Sequence, residues 1–553
     1  MYARPVTPFV LGLAAPLLLG SLVAQDQATA PAKRPIPEQA PASMDQIQES
    51  QMLKDATYLA SDELGGRLTG SPGQEAAARY IADRFQELGL EPMGDEVDGK
   101  RTYYQAYGIE RTFVTDQTRL TCGSLSTSSG FAVMGSRACD VEIAGKLRFV
   151  GRGRTRGRSA DVKADEDLSD VLPVVLVKPP RGRLNRQLSI EEKFGLSFQS
   201  FSAIGRTAQN LERRGARAIL FAVMEDTIGF ADVLNYLALS PGKALLSPRF
   251  AGADPGMGQM MSMLSGNSKA VSLVMTPELS EQVMSLLDVD AEALKAYLAG
   301  DGEIPTSDAQ PEASLRLVVE QDKEATAQNV AAVLRGKNPE LTKQAIVYSA
   351  HMDHVGRRVD GEIYNGADDN ASGTAGLMAI AQAFARAKEK PERSVIFLAV
   401  SGEELGLWGS AYYADNPTWT EGPMVANINT DMIGRSGPES GPDEVTVTPS
   451  HEHRMFSTVV QEAARLGEVM GIEFVSGDKY YQRSDHYNFA KKGIPVVFFC
   501  NGEHEDYHQV TDHADKLDGP KMEKLARLAF WTGWQLANDE ELPRTLGRRA
   551  DWK

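Results

Sequence analysis

Downstream of Ala327 the chain alternates between two hydrophobic rhythms. Short continuous apolar runs predict strands at 329–334, 346–349, 395–400, 425–429 and 496–499. Apolar positions at helical spacing predict helices at 372–386, 451–466 and 521–537. Strand, loop and helix in repetition predict an α/β fold: a mostly parallel central sheet flanked by helices on both faces. In such sheets, sites form beyond the C-terminal ends of the strands. A further helix is predicted after Ser71. Ser71 is its N-cap, Pro72 its first residue and Gln74 its capping-box partner, with an apolar stripe of Ala77, Ile81, Phe85 and Leu88 and a stop at Gly89.

Between 112 and 310 the rhythm changes. Strand-like runs fall at 146–150, 171–177, 216–223 and 270–275, with a helix at 206–214. This stretch holds no histidine and no paired-carboxylate motif, so it reads as a separate, non-catalytic α/β domain, with 307–313 as its exit linker. The expected division is a leader at 1–24, a disordered Ala/Pro/Gln linker at 25–43, and a first part of the catalytic domain at 44–111. The insert at 112–310, the main catalytic domain at 311–545 and a tail at 546–553 follow.

Arg4 and the apolar run 9–24 describe a secretory signal ending at Ala24. The run is shorter than the roughly 20 residues of a membrane span, so an exported chain (periplasmic or extracellular) with no membrane span after signal removal is expected. The net charge of −17 disfavours nucleic acid as a partner, and the basic stretches 152–158 and 181–186 read as solvated loops. Cys122 and Cys139 form either one disulfide or two free thiols, and Cys500 ends an apolar strand.

All eight histidines lie between 351 and 513, among paired carboxylates. Three motifs directly follow predicted strands: His351-Met-Asp353-His354, Glu403-Glu404 and Asp431. A few imidazoles with many carboxylates at one sheet edge is the requirement of a two-metal hydrolytic site. His351 is a good neutral ligand, and Asp353 can accept its other ring N–H. His354 reads as a neighbour. Asp368-Asp369 opens a helix, where carboxylates either cap it or bridge two cations. Two glutamates at the end of an apolar strand need cations in compensation. His508 is followed by Asp512, which can support it.

This set resembles the co-catalytic zinc exopeptidases, which include secreted bacterial leucyl aminopeptidases and glutamate carboxypeptidase II relatives. The match runs through 351–356, Asn365-Gly-Ala-Asp-Asp-Asn-Ala-Ser-Gly373, Ser401-Gly-Glu-Glu-Leu-Gly406, Asn429-Thr-Asp431-Met432, Ser484-Asp-His-Tyr-Asn-Phe489 and Asp506-Tyr-His508. Gly65-Gly-Arg-Leu-Thr-Gly resembles the family's N-terminal part, and the insert resembles its α/β protease-associated domain. The resemblance implies two zinc ions per chain. Asp369 bridges them, His351 and Asp431 complete one site, and Glu404 and His508 complete the other. Glu403 is the implied general base and Asp353 orients His351. Tyr480, Tyr481, Ser484, Asp485 and His486 line the implied substrate pocket, while His451, His453, His504 and His513 are expected in solvent. The implied activity is removal of N-terminal residues from peptides. A carboxypeptidase or dipeptidase is the alternative, with Arg357, Arg358, Arg435 and Arg483 as carboxylate-binding candidates. A glutaminyl cyclase or a non-catalytic binding protein on the same scaffold follows behind. Zinc, cobalt and manganese all suit such a site.

Overall fold

Two helices bring the chain to the sheet edge. α1 (Glu49–Leu59) buries Met52, Ala56 and Leu59. α2 (Pro72–Glu87) starts as expected, with the Ser71 side chain accepting from the Gln74 N–H. The Gln74 side chain reaches back to the Gly70 N–H at 3.3 Å, one residue earlier than in a standard capping box. Ala77, Ile81 and Phe85 are fully buried, and Gly89 ends the helix with φ +73°. The structure, a computed structural model, describes residues 38–549 apart from 136, 159, 178–189, 225–229, 253–267 and 301–302. The expected leader, most of the linker and the basic stretch 181–186 lie outside the described residues.

β1 (Tyr104–Val114) belongs to two sheets at once. In the second of these, β2 (Cys139–Phe149), β3 (Val171–Leu176), β4 (Ala218–Ala222) and β5 (Val271–Met275) lie side by side and parallel. β6 (Glu312–Asp322) pairs antiparallel with β2 and with the end of β1. β6 overlaps the expected linker and lies past the expected boundary at 310. Its buried Ala313, Leu315 and Leu317 alternate with partly exposed Ser314 and Arg316, the period of a half-buried strand. α3 (Ile190–Glu212) begins well before the expected helix at 206–214 and ends two residues short of it. α4 (Phe230–Leu237) is a short helix burying Phe230, Val233, Leu234 and Leu237.

Cys122 and Cys139 are free thiols. Cys122 pairs opposite Ala313 and Cys139 opposite Val319, on either side of β6. That offset along one strand is roughly 20 Å, far beyond the ~7 Å that a disulfide spans.

The first sheet is built from β7 (Thr326–Leu334), β8 (Ala345–His351), β9 (Ser394–Val400), β10 (Met424–Thr430), β11 (Glu444–Thr448) and β12 (Val496–Cys500). Its order is β7-β9-β8-β10-β12-β11, with β9, β8, β10 and β12 parallel. The strands read as continuous apolar runs because both faces are covered. Ile346, Tyr348 and Ala350 enter one core and Val347 the other; Val395, Phe397 and Ala399 enter the first, and Ile396, Leu398 and Val400 the second. α5 (Gly373–Ala385), α7 (Thr458–Val469) and α9 (Gly519–Asn538) cover the first face with α1 and α2. Tyr413 of α6 (Trp408–Asp415) and Phe489 of α8 (His486–Lys491) cover the second.

α7 begins later than the apolar spacing suggests. The preceding stretch is turned, and the Phe456 carbonyl and Thr458 N–H bond to Leu546 and Arg544 near the chain's end. Among the described residues, no helix is long and apolar enough to cross a membrane.

Candidate metal centre

The parallel strands deliver their following residues to one edge. β8 ends at His351, β9 leads into Glu403 and Glu404, and β10 leads into Asp431. Asp369 lies in the tight turn Ala367–Ser372 ahead of α5, and His508 in the loop after β12.

These five side chains meet. His351 Nε2 is 3.4 Å from Asp369 Oδ1 and 3.2 Å from Asp431 Oδ1. His508 Nε2 is 3.0 Å from Asp369 Oδ2 and 2.9 Å from Glu404 Oε2. The two oxygens of Asp369 therefore face different imidazoles. His351 Nε2, Asp369 Oδ2 and Asp431 Oδ1 are buried without a hydrogen-bond partner. Converging buried lone pairs of this kind fit a divalent cation, since an unpaired buried polar atom is otherwise costly. The candidate ligand atoms of His354, Asp369, Glu404 and His508 lie within 4.8 Å of one another, as do those of His351, Glu403 and Asp431.

His354 stands closer than a mere neighbour. Its Nδ1 is 2.6 Å from Glu404 Oε1. The Asp353 carboxylate is 3.8 Å from His351 Nδ1, whereas the Asp353 carbonyl oxygen is at 3.2 Å and is the better partner for that ring nitrogen. The Asp353 carboxylate instead accepts from the Thr69 hydroxyl at 2.8 Å and the Glu403 N–H at 3.4 Å.

Buried carboxylates set the electrostatics. Burial holds Glu403 well above the usual carboxylate range; Glu404 and Asp431 add to this, and His351 opposes it. Burial would raise Glu404 too, but His508 and His354 outweigh it and hold Glu404 well below its usual range. Burial pushes Asp353 up to about 6 and Asp485 to about 7. Against the burial that would lower them, the carboxylates raise both His351 and His508 well above ordinary histidine. The cluster draws positive charge toward itself.

The implied pocket residues divide. Ser484 is fully buried and donates to Asp431 Oδ2 at 2.8 Å, while accepting from Asn429 at 2.9 Å. Asp485 and His486 are also fully buried, and His486 stacks on Phe498 at 4.5 Å. Tyr480 donates to Glu439 at 3.0 Å, and Tyr481 packs on His453 at 4.2 Å. Three of the four candidate arginines are engaged by carboxylates: Arg358 by Asp360 and Asp232, Arg435 by Asp506, and Arg483 by Glu503.

Several residues here were not legible. His504, expected in solvent, is buried with Nε2 3.1 Å from Asp368 Oδ2. His513 is exposed, and His451 and His453 are partly so. Asp512 does not support His508; it accepts the N–H groups of Asp368 and Asp369 at 3.0 and 3.1 Å and so shapes the turn before α5. Arg67 is buried and donates to the carbonyls of Met352, Asn365, Gly366 and Leu59, clamping two loops that carry metal-binding candidates. The Gly65–Gly70 motif contained both Arg67 and Thr69, but not the partners that give them meaning.

Residues 329–532 match the model of Peptidase family M28. The chain is 26% identical over 296 residues to aminopeptidase YwaD of Bacillus subtilis (strain 168), covering 52% of this chain and 59% of that one. It is 33% identical over 204 residues to leupeptin-inactivating enzyme 1 of Streptomyces exfoliatus, covering 37% and 42%. The matches thus span about half the length of these curated relatives. The fold is shared with BSAP, a zinc aminopeptidase from Bacillus subtilis, at a TM-score of 0.51 and 17% identity, covering 89% of this chain and 96% of that one.

Proposed function

We propose, on the match of residues 329–532 to the model of Peptidase family M28, that this chain is an exported two-zinc aminopeptidase that removes N-terminal residues from peptides. The observation that carries the reading is Asp369, with one oxygen toward His351 and the other toward His508. His351 and Asp431 would hold one zinc, Glu404 and His508 the other, with Asp369 shared. Zinc held there supplies Lewis-acid polarisation of a carbonyl and acidifies water.

The remaining work falls to side chains. Glu403, half-buried and raised by burial, takes the proton of the attacking water and returns it to the leaving amine. The Asp353 carbonyl turns His351, and Ser484 holds Asp431 by one oxygen, leaving the other for the metal. Engagement of Arg358, Arg435 and Arg483 leaves little to bind a substrate carboxylate, while an acidic site suits an ammonium terminus. Similarity to proteins named as aminopeptidases supports the same choice. Export rests on Arg4 and the apolar run that follows it.

The test is a mixed peptide pool incubated with the purified protein and followed by mass spectrometry. Loss of residues from the amino end, abolished by a chelator and restored by zinc, is expected. Loss from the carboxyl end would transfer the assignment to a carboxypeptidase.

A further inference from the structure

The segment 112–310 reads from its sequence as standing apart from the chemistry, yet α4 reaches the proposed metal centre. Tyr236 Oη lies 3.0 Å from His508 Nδ1, and the two rings are stacked with centroids 6.3 Å apart. His508 Nε2 is the atom that faces Asp369 and Glu404. An imidazole that gives its Nε2 lone pair to a metal carries its proton on Nδ1, so Nδ1–H donates to the phenol oxygen. Metal-ligating histidines are usually fixed by such an acceptor, commonly a carboxylate or a backbone carbonyl. Here the acceptor is a tyrosine hydroxyl more than 270 residues away in the chain and in the other sheet's helical cover.

α4 is anchored strongly enough for that task. Asp232, one turn before Tyr236, is buried and receives Lys193 at 2.5 Å, the Tyr364 hydroxyl at 2.7 Å and Arg358 at 3.3 Å. Lys193 also donates to Gln509 at 3.0 Å, next to His508. Asn235 donates to the Val355 carbonyl at 3.3 Å, just past His354. The Lys243 ammonium, bonded to the Asn235 carbonyl, lies 5.5 Å over the Tyr236 ring. Asp232, Asn235 and Tyr236, with Lys193 as a bridge, thus tie α4 to the two loops that carry His354 and His508.

We propose that Tyr236 is a positioning residue for His508, through which the segment 112–310 helps hold one of the two zinc ions. The proposal rests on the two-zinc reading above. Its test is titration of the zinc-loaded full chain with a competing chelator, for wild type, Tyr236→Phe and Asp232→Asn. Tyr236→Phe keeps the ring and removes the acceptor. It is expected to weaken one zinc ten- to hundredfold and leave the other within about twofold. Asp232→Asn, which keeps Tyr236 and loosens its helix, is expected to weaken the same zinc.

Unchanged release from Tyr236→Phe would overturn the proposal. Equal weakening of both zincs with a lowered melting temperature would also overturn it, since that describes a structural prop. A wild type that binds no zinc would remove the two-zinc reading itself. Two tight zincs in both wild type and Tyr236→Phe would remove this inference alone.

Discussion

Glu403 and Glu404 are adjacent in the chain and face opposite demands. Burial acts on both, but only Glu404 has two imidazoles against it, and it is held ionised. Glu403 is held up, which suits a group that must take and release a proton. Glu403→Gln keeps the shape and removes the acceptor, so turnover should fall about 10²–10⁴-fold with zinc content unchanged. An active, zinc-loaded variant would reassign the base. His486 allows a test that needs no substrate. It is fully buried, and burial pushes it down to about 3, below the ~6.5 of an unfolded histidine. A depressed folded value contributes stability that is present above pH 6.5 and lost as pH falls toward 3. At pH 4.5 the loss is about 2–3 kcal/mol. His486→Phe should flatten that part of the acid limb, as read from urea melts of chelator-treated protein at pH 7 and 4.5. Equal losses in both proteins would mean that His486 is solvated.

At the level of elements, close approach governs what each position tolerates. Gly533 of α9 packs on β8, and a Cβ there would sit 1.8 Å from the Tyr348 hydroxyl. That hydroxyl is itself fixed by the Ala529 carbonyl at 2.9 Å, so it has little room to yield. Gly533→Ala should therefore destabilise by about 1–3 kcal/mol in thermal or urea melts, despite the better helix propensity of alanine. An unchanged or raised melting temperature would place helix and strand farther apart. The same elements show what the sequence made legible. β8, β9, β10 and β12 are readable as apolar runs because both faces are buried, and the motifs at His351, Glu403-Glu404 and Asp431 are readable as the residues following a run. β6 alternates at Ala313, Leu315 and Leu317, but the polar residues between them give it the texture of a linker. The late start of α7 depends on backbone partners near the chain's end, which no local pattern encodes. Tyr236, Arg67 and Thr69 are illegible for a similar reason: each gains its role from a loop distant in sequence. His504 lay among the motifs but resembled a solvated loop residue.

Taken over the molecule, the net charge is −17, and those of its charges that stand in solvent are screened. The carboxylates at the sheet edge are a different case. Asp353, Asp369 and Asp431 are all buried within reach of His351. Glu404 joins them beside His508. Arg67 is a nearby buried cation; burial lowers it to about 10, against Asp369, Asp353, Asp512 and Glu404, which favour its charge. Buried carboxylates crowded around two imidazoles and one guanidinium are poorly relieved by water, so bound divalent cations should stabilise the whole fold as well as the reaction. Linkage gives the scale: a ligand present at a thousandfold over its dissociation constant adds about 4 kcal/mol. In chains of 150–250 residues each kcal/mol moves the midpoint by roughly 2–4 °C, and less in a longer chain. Treatment with a chelator should therefore lower the melting temperature by several degrees, and zinc should restore it. Asp369→Ala removes the carboxylate proposed to be shared by both ions, so neither should remain. That variant should melt at one temperature with or without chelator, and its zinc content should be near zero. If it instead loses stability on chelation as the wild type does, the ions are held without Asp369, and the shared carboxylate must be sought elsewhere in the cluster.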